Sequence, residues 1–266
     1  MTIEAFAPAK INLTLHVKGQ RADGYHLLDS LVVFADIGDT LTLTPAERMS
    51  LTVDGPFAKG VPCDARNLVW QAAVQAGWTG QIKLTKNLPH GAGIGGGSSD
   101  AAAVLRSLDR GARALELGAD VPVCLSNGPQ RMQGIGEVLT PIEGLPDVWL
   151  LLVNPGAHVP TPAVFRALPR KDNAPMPDTI PSFADALSFV DWLADQRNDM
   201  QAAAATFVPA ISDVLDTLND ALLPRMSGSG ATCFGVYATA AGAQAAQDRI
   251  AKMHPDWWVA RGRMLR

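Results

Sequence analysis

The stretch PHGAGIGGGSSDAAA, residues 89–103, sets five glycines within seven positions and then stops them with Ser-Ser-Asp. Glycine loses more backbone freedom on folding than any other residue. Such density implies something against the backbone that side chains would block. The alternating segment QIKLTKNLP (81–89) before it reads as a strand, and SDAAAVLRSLDRG after it reads as a helix. The first N–H groups of a helix have no internal partner, and the macrodipole adds roughly half a positive charge there. A phosphate group satisfies both demands. Ser98 and Ser99 add hydroxyls suited to phosphate or a metal ion. The competing reading is a turn whose glycines only let strand and helix pack closely.

Known phosphate motifs narrow the choice. There is no G-K-[ST], so this is not a Walker A loop. Gly91, Gly93 and Gly96 fit G-x-G-x-x-G, and Glu116 stands about where a Rossmann acid belongs. That motif normally follows the first strand of its domain, whereas several strand-like segments come first here. The protein-kinase signatures H-R-D and D-F-G are missing.

The 266 residues suffice for one large domain or two ordinary ones. Apolar residues at 47% supply a full core. A net charge of −4, without long runs, argues against nucleic acid as a partner. The three cysteines, Cys63, Cys124 and Cys233, show neither metal spacing nor a disulfide framework. The N-terminus carries Glu4 and Lys10 without an apolar run, unlike a signal peptide. The longest apolar run, VWLLLV (148–153), is too short for a membrane span. A cytoplasmic protein with no membrane partner is the expectation.

Strand patterns cover 11–17, 27–37, 40–44 and 50–55, and Asn67 caps the helix LVWQAAVQAG, which closes at Gly77. GADVPVCL (118–125) is a tight connection. The turn-rich PIEGLPD (141–147) marks a boundary between domains at 1–145 and 146–266, with the last strand free to return to the first. VWLLLVNPG (148–156) is a buried strand. The four prolines of 169–182 indicate a mobile loop. Two amphipathic helices follow. A second glycine-serine loop, MSGSGATCFGVYA (226–238), runs into a strand, and a helix and the strand WWVARGRML close the chain. This irregular mixture is α+β rather than doubly wound.

Three segments, PAKINLTLHV (8–17), PHGAGIGGGSSDAAA and MSGSGATCFGVY (226–237), together resemble the three-motif pattern of the GHMP kinase superfamily, small-molecule kinases of galactose, homoserine, mevalonate and phosphomevalonate type. The R-x-D-G-Y-H-x-L stretch at 21–28 and GADVP resemble the branch that acts on a cytidine-diphosphate-linked methylerythritol. The resemblance runs from about Phe6 to Tyr237. It implies a two-domain fold, ribosomal-protein-S5-like then ferredoxin-like, with the active site in the cleft between them. The implied function is ATP-dependent phosphorylation of the small-molecule alcohol by a monomer or homodimer.

Residue by residue, the resemblance implies that Asp120 is the catalytic base and Lys10 its cationic partner. Asn67, Lys86, Pro89, Gly91, Gly93, Gly95, Gly96, Gly97, Ser98 and Ser99 would bind ATP, Asn67 and Lys86 at the adenine. Asn12, two residues from Lys10 and so on the same strand face, would bind substrate with Gly228, Ser229 and Gly230. Tyr25 and His26 would take the cytosine, with Phe165 on its other side. Mg2+ would arrive with ATP, with Ser99 as a candidate ligand and Asp120 helping. Relatives carry a longer connection than SLDRGARALEL before GADVP, and often methionine at the position of His90. From the residues alone, Asp120 reads equally as a turn residue capping its own backbone. A kinase of another alcohol, a ligand sensor on the same fold and a nucleotide-dependent oxidoreductase remain as alternatives.

Overall fold

A strand of 20 residues organises the first half of the chain. The computed structural model describes residues 1–266. One sheet holds β1 (Ile3–Asn12), β2 (His16–Gln20), β3 (His26–Pro45), β4 (Ser50–Asp54), β5 (Gly80–Thr85), β6 (Gln130–Gly134) and β7 (Val138–Pro141). β3 pairs antiparallel with β1, β2, β5 and β6, β4 lies parallel to β5, and β7 pairs with β6. The two strands expected at 27–37 and 40–44 are therefore one. Gly38 and Asp39 do not turn the chain. Opposite Pro8 and Ala9 the partner residue jumps from Gly38 to Ala35, a bulge that bends a strand without ending it. The pattern at 11–17 is conversely split, because β1 stops at Asn12 and Leu15 bridges to Asn198.

The helices of this half are α1 (Leu68–Gln75), α2 (Gly96–Ser107) and the single turn α3 (Val121–Cys124). As expected, Asn67 caps α1, its side chain accepting from the Val69 N–H, and Gly77 leaves the helix at φ +68°. The second half begins with β8 (Trp149–Asn154), followed by α4 (Thr161–Ala167), α5 (Ala186–Ala194), α6 (Gln201–Phe207) and α7 (Ala210–Thr217). It ends with β9 (Leu223–Met226), β10 (Cys233–Tyr237), α8 (Ala240–Met253) and β11 (Trp258–Arg263). Its sheet order is β11-β8-β10-β9, all antiparallel. Numbered within this half, that is 4-1-3-2 with helices between the first and second and the third and fourth strands, the ferredoxin-like arrangement.

Alternation of side chains across each strand builds the layers. Val32 and Phe34 of β3 pack on α1 and on residues 101–105 of α2. Leu31, Val33 and Ala35 face the other way, against Leu150, Leu152, Phe234 and Val236 of the second sheet. Leu151, Val153 and Cys233 then meet Ile211, Val214, Ala243 and Ile250 on the far side. Helices, sheet, sheet and helices thus stack in that order, and one apolar core spans both halves. β11 belongs to the second sheet. Beyond it, Met264 pairs with Ala35 and the Leu265 N–H donates to the Phe34 carbonyl at 2.7 Å, which ties the end of the chain to the first sheet.

The proline-rich stretch 169–182 is a loop, but a fastened one. Buried Asp29 of β3 receives two parallel bonds from Arg131 of β6, at 2.9 and 2.8 Å, and a third from the Met176 N–H. Arg131 also donates to the carbonyls of Pro177 and Asp178. Met176 is 1% exposed. Replacing one member of a buried pair strands the other charge, at a cost of about 3–5 kcal/mol. Asp29→Ala is expected to lower unfolding stability by that order in denaturant titration and to open 169–182 to proteolysis. Parent-like cleavage in that segment would show that the pair does not anchor it.

Candidate active site

α2 starts at Gly96, earlier than the sequence suggests, with Gly95 as its cap in the left-handed region. The glycines before it serve two ends. A Cβ on Gly93 would lie 2.4 Å from the Ser227 carbonyl oxygen, and one on Gly95 would lie 3.1 Å from Lys10 Cβ. Both have positive φ. For these two, the close-packing reading holds. Gly97 has nothing nearer than 3.9 Å to such a Cβ. With Gly91 and Gly96 it lines a cavity of about 270 Å³, together with Asn67, Pro89 and His90. The unpaired N–H groups at the start of α2 therefore border open space.

This loop is clamped by the other two motifs. The Lys10 N–H donates to the Ile94 carbonyl at 2.9 Å. The Ser227 hydroxyl donates to the Gly93 carbonyl at 2.9 Å and accepts from the Asn12 N–H at 3.1 Å. The Thr232 N–H donates to the Ala92 carbonyl at 3.1 Å. Ser227 thus joins strand β1, the glycine loop and the 226–233 loop. Ser227 belongs to the third sequence motif, but its partners Asn12 and Gly93 are distant in sequence, so the local pattern does not mark its role.

A second cavity, of about 740 Å³, lies on the other side of the start of α2 and is lined by Ser98, Lys10, Asn12, Asp120, Gly228 and Ser229. Lys10 Nζ stands 2.9 Å from Asp120 Oδ1, with the lysine side chain 5% exposed and the aspartate 40%. Asp120 is the residue before α3, yet its side chain makes no capping bond. The turn-capping reading of Asp120 fails, and its carboxylate is left to Lys10 and the cavity. Asn12 Nδ2 donates to the Ser30 hydroxyl at 2.8 Å, while its buried Oδ1 has no partner.

Tyr25, His26 and Phe165 line the same cavity. The sequence suggests Phe165 across a base from the other two. Instead His26 and Phe165 stack on each other, with centroids 4.3 Å apart and planes 15° from parallel. Stacking of this kind covers a face of each ring. Tyr25, 57% exposed, is the free ring. Burial, with Lys171 adding to it, lowers the pKa of His26, so the neutral imidazole prevails near pH 7, and its Nε2 has no partner.

Other expected contacts are unavailable for physical reasons. Ser99 is fully buried and its hydroxyl donates to the Pro8 carbonyl at 2.7 Å, so Ser99 faces neither phosphate nor metal; Ser98 does face the cavity. Lys86 Nζ is enclosed by the carboxylates of Asp39 and Asp100, the latter at 2.7 Å. Its main-chain N–H and carbonyl are bonded to Asp54 and Phe57. Lys86 therefore lends the smaller cavity a wall rather than a free donor. Both ends of the Asn67 amide are taken, by the Val69 N–H and the Pro62 carbonyl.

Asp39 and Asp100 escaped sequence reasoning, although Asp100 directly follows the two serines. Burial works against the Lys86 ammonium, but its two carboxylates outweigh that and raise its pKa. Asp100 is pushed up from 3.8 to about 8, by burial first and by Asp39 against the pull of Lys86. Its Oδ1 has no partner and the residue lines the smaller cavity.

Two cavities thus meet at one helix start, with an ammonium–carboxylate pair in the larger. The description "GHMP kinases N terminal domain" matches residues 67–128, and "GHMP kinases C terminal" matches residues 183–256. The chain is 57% identical over 257 residues to the 4-diphosphocytidyl-2-C-methyl-D-erythritol kinase of Paracoccus denitrificans, covering 96% of this chain and 94% of that one. It is 58% identical over 268 residues to the enzyme of the same name from Dinoroseobacter shibae, covering 97% and 93%. A crystal structure of 4-(cytidine 5'-diphospho)-2C-methyl-D-erythritol kinase superposes with a TM-score of 0.74 at 32% identity, covering 98% of this chain and 99% of that one. The chain belongs to the family of 4-diphosphocytidyl-2-C-methyl-D-erythritol kinases.

A carboxyl whose pKa is higher folded than unfolded holds its proton more tightly in the folded state. The resulting stabilisation is complete in acid and is lost as pH climbs through the folded value. Asp100→Asn cannot titrate and keeps an acceptor for Lys86. Its stability relative to the parent is expected to rise from about pH 4 to about pH 8 and then level off, as measured by denaturant midpoints across that range. A difference that stays constant with pH would show that Asp100 carries no displaced proton.

Proposed function

We propose that this enzyme transfers the γ-phosphoryl group of ATP to the 2-hydroxyl of 4-diphosphocytidyl-2-C-methyl-D-erythritol. The products are the 2-phosphate and ADP, a step in non-mevalonate isoprenoid precursor biosynthesis. One observation carries the reading: the start of α2 borders both cavities, Gly96 and Gly97 on the smaller side and Ser98 on the side of Lys10 and Asp120. A triphosphate laid on those N–H groups from the smaller cavity ends at the larger, where the alcohol would sit.

Phosphoryl transfer asks the protein chiefly for positioning and charge stabilisation. In this reading Asp120 takes the proton of the attacking hydroxyl. Lys10, held by the 2.9 Å pair, orients that carboxylate and opposes the charge of the transferring group. The unpartnered Asn12 Oδ1 accepts from a substrate hydroxyl. Neutral His26 offers one donor and one acceptor to a cytosine edge, and Tyr25 offers a ring for stacking. No three His, Cys, Asp or Glu side chains converge as a metal site. Ser98 and Asp120, which line the larger cavity, would be the oxygens facing an ion that rides on nucleotide phosphates. Mg2+ so carried supplies neutralisation of phosphate charge.

No helix is long and apolar enough to cross a membrane, and buried, unpaired Cys124 and Cys233 suit a cytoplasmic location.

Asp120→Asn removes the proton acceptor with little change of shape. Its kcat in an ADP-release assay is expected to fall ~10²–10⁴-fold, with binding of a non-hydrolysable ATP analogue retained. CDP is expected to compete with the substrate, and homoserine and mevalonate are expected not to be phosphorylated. Turnover of Asp120→Asn near the parent rate would remove Asp120 from the chemistry. Turnover of homoserine or mevalonate with no effect of CDP would replace the substrate assignment.

A further inference from the structure

The larger cavity carries two cations that the mechanism does not use. Its charged lining comprises Lys10, Asp23, Asp120, Arg166 and Lys171. Lys10 and Asp120 neutralise each other, and Asp23 is paired with Arg21 at 2.7 Å. Arg166 and Lys171 have no acidic partner. Lys171 Nζ comes only within 3.5 Å of the neutral Gln20 Oε1, while the adjacent Arg170 is satisfied by Asp172. The cavity therefore holds two uncompensated positive charges.

Their placement is specific. Arg166 follows Phe165 on α4 and lines the cavity that His26 and Phe165 line. Lys171 lines the same cavity as those rings. Two residues further on, the Asn173 N–H and side chain both donate to the Val17 carbonyl, at 3.0 and 3.2 Å, which fastens the segment bearing Lys171. Both cations thus line the cavity that the aromatic rings line, and neither is engaged in the Lys10–Asp120 pair. In a nucleoside-diphosphate-linked alcohol the phosphates lie between the base and the reacting hydroxyl. An anion of that kind entering a cavity that also contains the Asp120 carboxylate needs opposite charge along its path.

We infer that Arg166 and Lys171 bind the diphosphate of the alcohol substrate and determine the enzyme's preference for nucleoside-diphosphate-linked alcohols. The inference rests on the kinase reading above, because it takes the larger cavity as the alcohol's site. Arg offers a planar fork for phosphate oxygens and Lys a compact point charge, which suits two linked phosphates better than a single one.

The test is calorimetric titration of cytidine, CMP and CDP into the parent, Arg166→Gln, Lys171→Gln, the double variant and Lys171→Arg. CDP affinity is expected to fall about tenfold in each Gln variant, the order of one charge-assisted contact. Cytidine affinity is expected to stay at the parent value, since cytidine carries no phosphate. Lys171→Arg is expected to retain CDP binding. Salt should weaken CDP binding to the parent more steeply than to the double variant. Equal losses for cytidine and CDP would mean that the variants damage the pocket, and unchanged CDP affinity would mean that the cations do not touch phosphate; either overturns the inference alone. A parent that binds neither cytidine nor CDP overturns the underlying assignment as well.

Discussion

The backbone N–H groups at the start of α2 are the constraint around which the molecule is arranged. A helix cannot satisfy its own first donors, and these donors border space shared by two cavities. Gly96 and Gly97 leave that helix start bare of side chains where it lines the smaller cavity. The preceding loop must be gripped from outside, because its own residues are too permissive to hold one shape. Ser227 and Lys10 provide that grip through the carbonyls of Gly93 and Ile94. Three segments far apart in the chain therefore meet at one point, and the two halves of the molecule share an apolar core behind it.

Charge is distributed to the same end. Lys86 joins the end of β5, the bulged part of β3 through Asp39, and α2 through Asp100. A buried cluster of this kind adds little net stability compared with apolar packing. What it specifies is geometry: three elements are pinned to one ammonium beneath the helix start. Asp29 and Arg131 do the same for the proline-rich segment, which bears Lys171 at the rim of the larger cavity. The Lys10–Asp120 pair, by contrast, stays partly exposed, as a group that must meet a substrate has to be.

Much of the architecture was legible because it rests on local chemistry. Asn67 as a cap, Gly77 as a stop, the alternation of 50–55 and the buried run at 148–153 all appear where the pattern places them. The elements that escaped are those set by tertiary contact. QRMQG of β6 has no alternation, and it is a strand because Arg131 and Met132 pair along β3. Gly38 reads as a break until Ala7 is seen against it, where a Cβ would lie 2.3 Å from the Ala7 carbonyl. In the site, Ser98 was legible from the glycine loop, whereas Lys10 and Asp120 were legible only through the family resemblance; the structure brings all three to one cavity. Ser99 and Lys86 were legible as polar residues near the loop, but whether a hydroxyl or ammonium faces solvent or a buried acceptor depends on partners that are distant in sequence. The stacking of His26 on Phe165 was likewise invisible, since it depends on α4 folding back over β3.

The central claim is that nucleotide phosphates rest on the N–H groups at the start of α2 and point at Asp120. A crystal structure with a non-hydrolysable ATP analogue and CDP tests it most directly. The account predicts the adenosine in the cavity lined by Asn67 and Pro89, the phosphates against Gly96–Ser98, and the terminal phosphate beside Lys10 and Asp120. Nucleotide bound elsewhere, with the start of α2 unoccupied or its N–H groups turned to protein acceptors, would contradict it.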